Sequence, residues 1–230
     1  MSVNEAHSEN LRKMAGSLCV VTCHDAVERV SVDPESSRAL RDSLLDDGEV
    51  LVGSLGRLDP QKGFEFLIQA AIVVADAPSV RFAIAGDGTQ RKQLEGLIDS
   101  LGLQKHFRLV GFRSDSADFL AALDIFVCPS LWEGGPLTVL EAMRLAKPVI
   151  STPVGIVPEI LQDRVNGLSA PLQDPDKLGH AILELVRDPE LRLQLGSAAP
   201  VTAAPFCDLE ARAKQLDSIF LSASKFATEN

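Results

Sequence analysis

The sequence predicts an α/β protein built on a parallel, doubly wound sheet. Three observations carry that prediction. From Glu49 onward, short apolar runs alternate with stretches that have helical period or helix-start chemistry. The apolar runs are continuous, so both faces of the sheet they form must be covered. Strand–helix alternation of this kind builds right-handed βαβ units, which set the strands parallel. A single Rossmann-like domain follows.

The elements can be taken in chain order. The first 48 residues hold one apolar run, 18–22, and then a polar, acidic stretch as far as Asp47. They are read as a short lead-in strand plus a helix, too little for a second domain. Strands are expected at 50–55, 80–85, 107–110, 125–128, 148–151 and 168–170, with helices between them at 61–74, 90–100, 117–123, 136–146 and 158–161. Beyond Pro171 the pattern turns helical. Asp174-Pro175-Asp176 opens a helix that runs to about Arg187, Asp188-Pro189-Glu190 opens another, and 209–222 reads as a last one. Pro200 and Pro205 are expected to break the run between them. The resulting division is a lead-in over 1–48, the Rossmann-like domain over 49–204, and a C-terminal helix with a frayed tail over 205–230.

Composition narrows the function. The chain has 230 residues, 46% of them apolar and 23% charged, with a formal net charge of −10. That charge argues against a nucleic-acid or anionic-membrane surface and leaves room only for a local cationic pocket. No apolar run approaches a membrane span. The start of the chain carries Glu5, Glu9, Arg12 and Lys13 with no apolar core, unlike a secretory signal. A cytoplasmic place is expected, including one peripheral to the inner face of the membrane. Cys19, Cys23 and His24 could suggest a metal pair, but the spacing is looser than a Cys-x-x-Cys knuckle and no second pair follows. These thiols, with Cys128 and Cys207, are read as core or incidental, and no metal site is expected.

The densest chemistry lies between Cys128 and Met143, where Glu133 and Glu141 flank a glycine pair that opens a helix. Pro136 suits a first helical position, and Gly134-Gly135 lets the backbone approach a ligand. The free amides of Leu137 and Thr138 at the helix start would attract phosphate. Val139, Ala142, Met143 and Ala146 form the core stripe, with Glu141 roughly opposite it. A carboxylate on so apolar a helix should face a cleft or a partner, because unpaired burial is costly. On these grounds a ligand role for Glu141 and a surface pair with Arg144 at i, i+3 stand level.

The loop 53–63 follows the first strand of the sheet, where open α/β sheets place ligands. Arg57 offers a planar fork of donors and Lys62 a mobile point charge, and two cations beside a helix start suit a diphosphate. Both residue types are also common in solvated loops. The turn Gly86-Asp87-Gly88 has Arg91 where a dinucleotide fingerprint needs its third glycine, which argues against a nicotinamide enzyme and for a tight turn. None of His7, His24, His106 and His180 sits in a nucleophile-elbow context; His24 and His106 are read as structural or exposed. Trp132 could wall the cleft, but packing is the favoured reading.

Together these residues resemble the donor-binding domain of the group 1 glycosyltransferases (family 4), which have the two-domain GT-B fold. Gly56-Arg57-Leu58 with Lys62-Gly63 is similar to their Gly-Arg-Leu…Lys-Gly motif. Ala85–Gly88 is similar to their Gly-x-Gly turn, and Val110-Gly111-Phe112 to their strand end. Glu133 and Glu141 resemble their Glu-x₇-Glu pair, continued by Lys147-Pro148-Val149-Ile150. Val154-Gly155…Pro158-Glu159 and Asn166-Gly167-Leu168 resemble the run that closes their domain, with Ile156 where they have a second glycine. The likeness covers about Glu49 to Ser197, with every motif in order.

The resemblance implies a retaining, metal-independent transfer of a hexose from a nucleotide-sugar, such as a UDP- or GDP-hexose, to an envelope glycan or glycolipid. It implies no cofactor. Arg57 and Lys62 would neutralise the diphosphate, the amides of Leu137 and Thr138 would hold its distal phosphate, and Glu141 would take the ribose hydroxyls. Glu133 would be the catalytic carboxylate, gripping the sugar with Gly134 and Gly135, and the backbone around Arg113 would read the base. Full-length members also carry an N-terminal Rossmann domain that binds the acceptor, which residues 1–48 cannot supply. The expectation is therefore the donor half of such an enzyme, with a partner chain supplying the other domain. The alternative is a non-catalytic nucleotide-sugar-binding module. A sugar-nucleotide epimerase of the same fold fits less well, since no acid/base groups for it can be placed.

Overall fold

The computed structural model describes residues 4–15, 20–27, 31–45, 49–74 and 80–228. Two helices come first, α1 (Glu5–Ala15) and α2 (Pro34–Leu44). The alternating core follows as β1 (Val50–Leu55), α3 (Phe64–Val74), β2 (Val80–Ala85), α4 (Arg91–Ser100), β3 (Phe107–Gly111), α5 (Ser116–Ala122), β4 (Ile125–Cys128), α6 (Leu137–Arg144), β5 (Val149–Ser151), α7 (Val157–Ile160) and β6 (Leu168–Ser169). Three helices close the chain: α8 (Pro175–Arg187), α9 (Pro189–Ala203) and α10 (Leu209–Thr228).

The six strands form one parallel sheet in the order β3-β2-β1-β4-β5-β6. The continuous apolar runs have the cause expected of them. In β1, Val52 points into a core roofed by α3, α4 and α8, while its neighbour Leu51 points into a second core under α5, α6 and α9. In β4, Ile125 and Val127 join the first core, and Phe126 and Cys128 the second. The residues of β4 and β5 and the inner residues of β1 are thus buried whichever way they face, which removes the polar half of the usual alternation.

Because the sheet runs outward from β1 through β2 to β3 and then returns to β4 beside β1, the strand order reverses between β1 and β4. The crevice at the carboxyl ends of these two strands is where such folds hold ligands. A 3₁₀ turn at Pro60–Lys62 ends in Gly63, whose φ of 62° is left-handed. A Cβ there would lie 2.2 Å from the carbonyl oxygen of Pro129, so the loop after β1 rests directly on the loop after β4.

Three features differ from the sequence expectation, the first being that residues 1–48 hold two helices, α1 and α2, where one was expected. The lead-in strand at 18–22 begins outside the described residues, and Val20 and Val21 are not in a strand. Their neighbourhood is held by side chains instead: Ser8 Oγ meets Thr22 Oγ1 at 2.5 Å and Gln215 Nε2 donates to the Thr22 carbonyl. Pro200, expected to break the helical run, lies inside α9. Packing overrides the lost hydrogen bond, because Leu195, Ala199 and Ala203 are all fully buried beneath the sheet's second face or beside it. The run ends only at the 3₁₀ turn Ala204–Cys207, which contains Pro205.

The α2 helix is tied to the domain. Asp33 caps it, and the Asp33 amide donates to Asp118 of α5 at 2.7 Å. Arg41 donates to the Ala122 carbonyl and pairs with Asp124, both at 2.7 Å. Lys147, part of the motif run before β5, donates to the carbonyls of Ala121 and Leu123, so it caps α5 at the end of the sheet remote from the crevice.

The contact beneath Gly63 yields a stability prediction. Gly63→Ala should cost about 2 kcal/mol or more through strain and clash, a fall of roughly 4–8 °C in Tm for a chain of this size. Thermal unfolding followed by circular dichroism measures this, and an unchanged Tm would contradict the packing described.

Candidate functional site

The loops after β1 and β4 are bonded to each other before any ligand enters. The Leu131 amide donates to the Gln61 carbonyl at 2.8 Å, and Gln61 Nε2 donates back to the Trp132 carbonyl at 3.0 Å. Within that joint, Lys62 Nζ lies 2.6 Å from Glu133 Oε1. Ser130 Oγ donates to the same oxygen at 3.0 Å, and Gln61 Nε2 lies 3.2 Å from the other. The Glu133 side chain is only 9% exposed and that of Lys62 20%. The structure therefore brings together a predicted phosphate ligand and the predicted catalytic carboxylate, as partners of each other. No feature of the sequence marks Gln61 or Ser130 as a partner of Glu133; Gln61 comes into reach only because β1 and β4 are neighbours, and Ser130 lies three residues before Glu133 in the same loop.

Behind this pair the Cys128 thiol is wholly buried, 3.5 Å from Ser130 Oγ. Burial pushes it up from the ordinary thiol range, with the Glu133 charge adding to the effect and Lys62 opposing it. It is a packing group, not a nucleophile.

Glu141 is in a different state. The α6 helix buries Val139, Leu140, Ala142 and Met143, and leaves Glu141 half-buried. Its carboxylate makes no ion pair or hydrogen bond with any described residue, so the surface pair with Arg144 does not form. Burial raises its carboxyl above the ordinary glutamate range. At the head of the same helix no side chain caps the first turn, which leaves the amides of Leu137 and Thr138 to other partners. Ala146, placed in the core stripe by the sequence, lies past the helix end and is exposed.

Arg57 and Arg113 line a cavity of about 520 Å³ with Leu55, Gly86, Phe112 and Ser116. Arg57 is 77% exposed and within 3.3 Å of Asp59. The Arg113 guanidinium is committed to Asp115 through two bonds, of 2.9 and 2.5 Å, so only its backbone is left to read a ligand. Asp115 in turn is held below the usual carboxylate range by that hydrogen-bonded arginine. The Gly86–Gly88 turn serves the loop beside it: the Gly56 amide donates to Ala85 and the Leu58 amide to Asp87.

Gly134 and Gly135 are enclosed from two sides. Gly155, at φ 57°, approaches so closely that a Cβ would lie 2.5 Å from the Gly134 carbonyl oxygen. Ile156 follows with φ −80° and is buried at the start of α7, a conformation that needs no second glycine. From the other side Asn4 Nδ2 donates to the Gly134 carbonyl at 3.0 Å. The Glu5 amide donates to Glu159 Oε1 at 2.9 Å, and His24 Nε2 lies 3.4 Å from Glu159 Oε2. His24 is thus structural, resting edge-on against Phe206. This contact between the start of the chain and the glycine loop had no signal in the sequence. Trp132, favoured as a packing residue, is instead 56% exposed, with its carbonyl held by the Gln61 side-chain amide. Cys19, half of the rejected metal pair, lies outside the described residues.

A parallel α/β fold with convergent groups at its switch point defines a ligand-binding domain of the doubly wound class. Residues 36–202 match the family described as glycosyl transferases group 1, and the chain belongs to that family. Alpha-D-kanosaminyltransferase of Streptomyces kanamyceticus is 32% identical over 195 residues, which is 82% of this chain and 50% of that one. The lipopolysaccharide core biosynthesis glycosyltransferase LpsE of Rhizobium meliloti is 36% identical over 63% of this chain and 42% of its own. The chain spans about half the length of the curated relatives it matches. Among solved structures, Anabaena HepE in complex with UDP-glucose superposes with a TM-score of 0.85 and 26% identity, covering 96% of this chain and 63% of that one. The C-terminal domain of LpcC from Francisella tularensis, a group 1 protein, is covered to 94% at a TM-score of 0.67 and 27% identity. Both neighbours have the fold read from the sequence. No helix among the described residues is long and apolar enough to cross a membrane.

The buried, unpartnered state of Glu141 has a pH signature. Its folded-state carboxyl lies above the unfolded value, so ionisation at neutral pH costs stability, and that cost vanishes as pH falls through the folded pKa. Glu141→Gln should therefore melt above the wild type at pH 7, with the difference gone well below pH 4.5, the ordinary value. A lower Tm for the variant at pH 7 would contradict the geometry.

Proposed function

We propose that this chain binds a nucleotide-sugar in the crevice between β1 and β4 and is the donor half of a glycosyltransferase. The observation that carries the proposal is the half-buried carboxylate of Glu141, without a partner among the described residues, on a helix whose first turn has no side-chain cap. A nucleoside diphosphate supplies what each group lacks. Its ribose hydroxyls donate to Glu141, its diphosphate meets Arg57 and Lys62, and its distal phosphate takes the amides of Leu137 and Thr138. The base enters the cavity beside Phe112 and is read by the backbone at Arg113. Anabaena HepE forms complexes with UDP, with UDP and glucose, and with UDP-glucose, which supports a donor of this class.

In the transfer itself, charge builds on the leaving diphosphate. With no metal or cofactor in the proposed reaction, Arg57, Lys62 and the start of α6 meet that charge. Glu133, with the Gly134-Gly135 backbone, faces the sugar hydroxyls near the anomeric carbon, where an oxocarbenium-like transition state leaves configuration retained. The transferred group is a hexose and the acceptor an envelope glycan or glycolipid. A partner domain or chain closes the cleft and positions the acceptor, and the protein works in the cytoplasm at the inner face of the membrane. A second reading is a nucleotide-sugar-binding module without catalysis of its own.

Calorimetry on the whole chain tests the proposal. UDP or GDP should bind with a Kd in the micromolar to millimolar range, and Glu141→Ala should weaken binding roughly tenfold or more by removing charge-assisted hydrogen bonds. Equal affinity in both proteins, or none in either, would overturn the assignment.

A further inference from the structure

The ion pair at the centre of the site poses a conflict. Lys62 is assigned to the diphosphate and Glu133 to the sugar, yet the two hold each other at 2.6 Å. A diphosphate arriving beside Lys62 must compete with Glu133 for it. If Lys62 left and nothing else held Glu133, a carboxylate only 9% exposed would be stranded in the protein, at high cost. The structure already contains replacements. Ser130, itself 1% exposed, keeps its hydroxyl on Glu133 Oε1, and Gln61 keeps its amide nitrogen on Oε2. Both are neutral, so a nucleotide does not draw them away as it draws a cation. Neither depends on Lys62 for its own position. The backbone of Gln61 accepts from the Leu131 amide, and the Ser130 carbonyl accepts from Thr152 Oγ1 at 2.6 Å.

We propose that Lys62 is a shared cation, held by Glu133 in the empty site and released to the donor's diphosphate, and that Gln61 and Ser130 are positioning residues that keep the Glu133 carboxylate in place when Lys62 departs. This deepens the nucleotide-sugar reading and rests on it. The exchange links the two ends of the donor: only when the phosphates take Lys62 does Glu133 become available, already aimed, to the sugar. Before then its charge is neutralised and its oxygens are occupied.

The test is calorimetry with UDP or GDP, whichever binds the wild type more tightly, on the whole chain. A nucleoside diphosphate is the right probe because it lacks the transferred sugar, whose hydroxyls could stand in for Gln61 and Ser130. Glu133→Gln removes the competitor and should tighten binding roughly three- to tenfold. Gln61→Leu combined with Ser130→Ala leaves the ion pair intact but strands Glu133 on exchange, and should weaken binding by a similar factor. That weakening should disappear when Glu133→Gln is added, since no charge is then left to strand. Circular dichroism melts establish that each variant is folded. Should Glu133→Gln fail to fold, the Gln61/Ser130 double variant still decides the matter: unchanged affinity overturns the exchange. Weaker or equal binding by folded Glu133→Gln overturns it too, as does a Gln61/Ser130 effect that persists without Glu133. No nucleotide binding by the wild type overturns the exchange and the nucleotide reading together, whereas wild-type binding with any of the other results leaves the nucleotide reading standing.

Discussion

The contact between Lys62 and Glu133 joins residues 71 positions apart and fixes the floor of the crevice. Its strength comes from seclusion: a pair this little exposed is far less screened than a surface pair, and breaking it by removing one partner leaves the other uncompensated, typically at 3–5 kcal/mol. Its position comes from topology. The sheet order reverses between β1 and β4, so the loops that follow these strands must meet, and Gly63 lets them meet at backbone distance. The glycine loop at 134–135, the helix start at Leu137 and the cavity beside Phe112 are all arranged around that joint.

The two glutamates, alike in sequence, differ in physical state. Glu133 is satisfied three times over by Lys62, Ser130 and Gln61, and becomes available only if that set is rearranged. Glu141 has no such set and carries the cost of its burial until something brings hydroxyls to it. On the proposed reading, a preformed acceptor and a guarded one flank the helix start, and donor binding precedes exposure of Glu133.

Much of the fold was legible because the sheet is buried on both faces. Neighbours such as Leu51 and Val52 enter opposite cores, which turns each strand into an unbroken apolar run. The site motifs were legible because the glycines, prolines and charged groups that build them are local. What the sequence did not show depends on long-range contact. Ser130 and Gln61 have no feature marking them as partners of Glu133. Arg113 is marked for its backbone alone, and its side chain is taken by Asp115, two residues on. Pro200 reads as a breaker, yet its helix is held by the packing of Leu195, Ala199 and Ala203. Asn4 reads as part of a lead-in, yet it reaches the Gly134 carbonyl, 130 positions away. For Gln61 and Asn4 the deciding partner is remote in the chain, where propensity and spacing carry no information.

A crystal structure of the chain with UDP bound would test the central claim most directly. The account predicts the diphosphate between Lys62 and the first turn of α6, the ribose on Glu141, and Lys62 Nζ turned from Glu133 to a phosphate oxygen, with Ser130 and Gln61 still on the carboxylate. UDP bound away from the β1–β4 crevice, or seated there with Glu141 untouched, would contradict it.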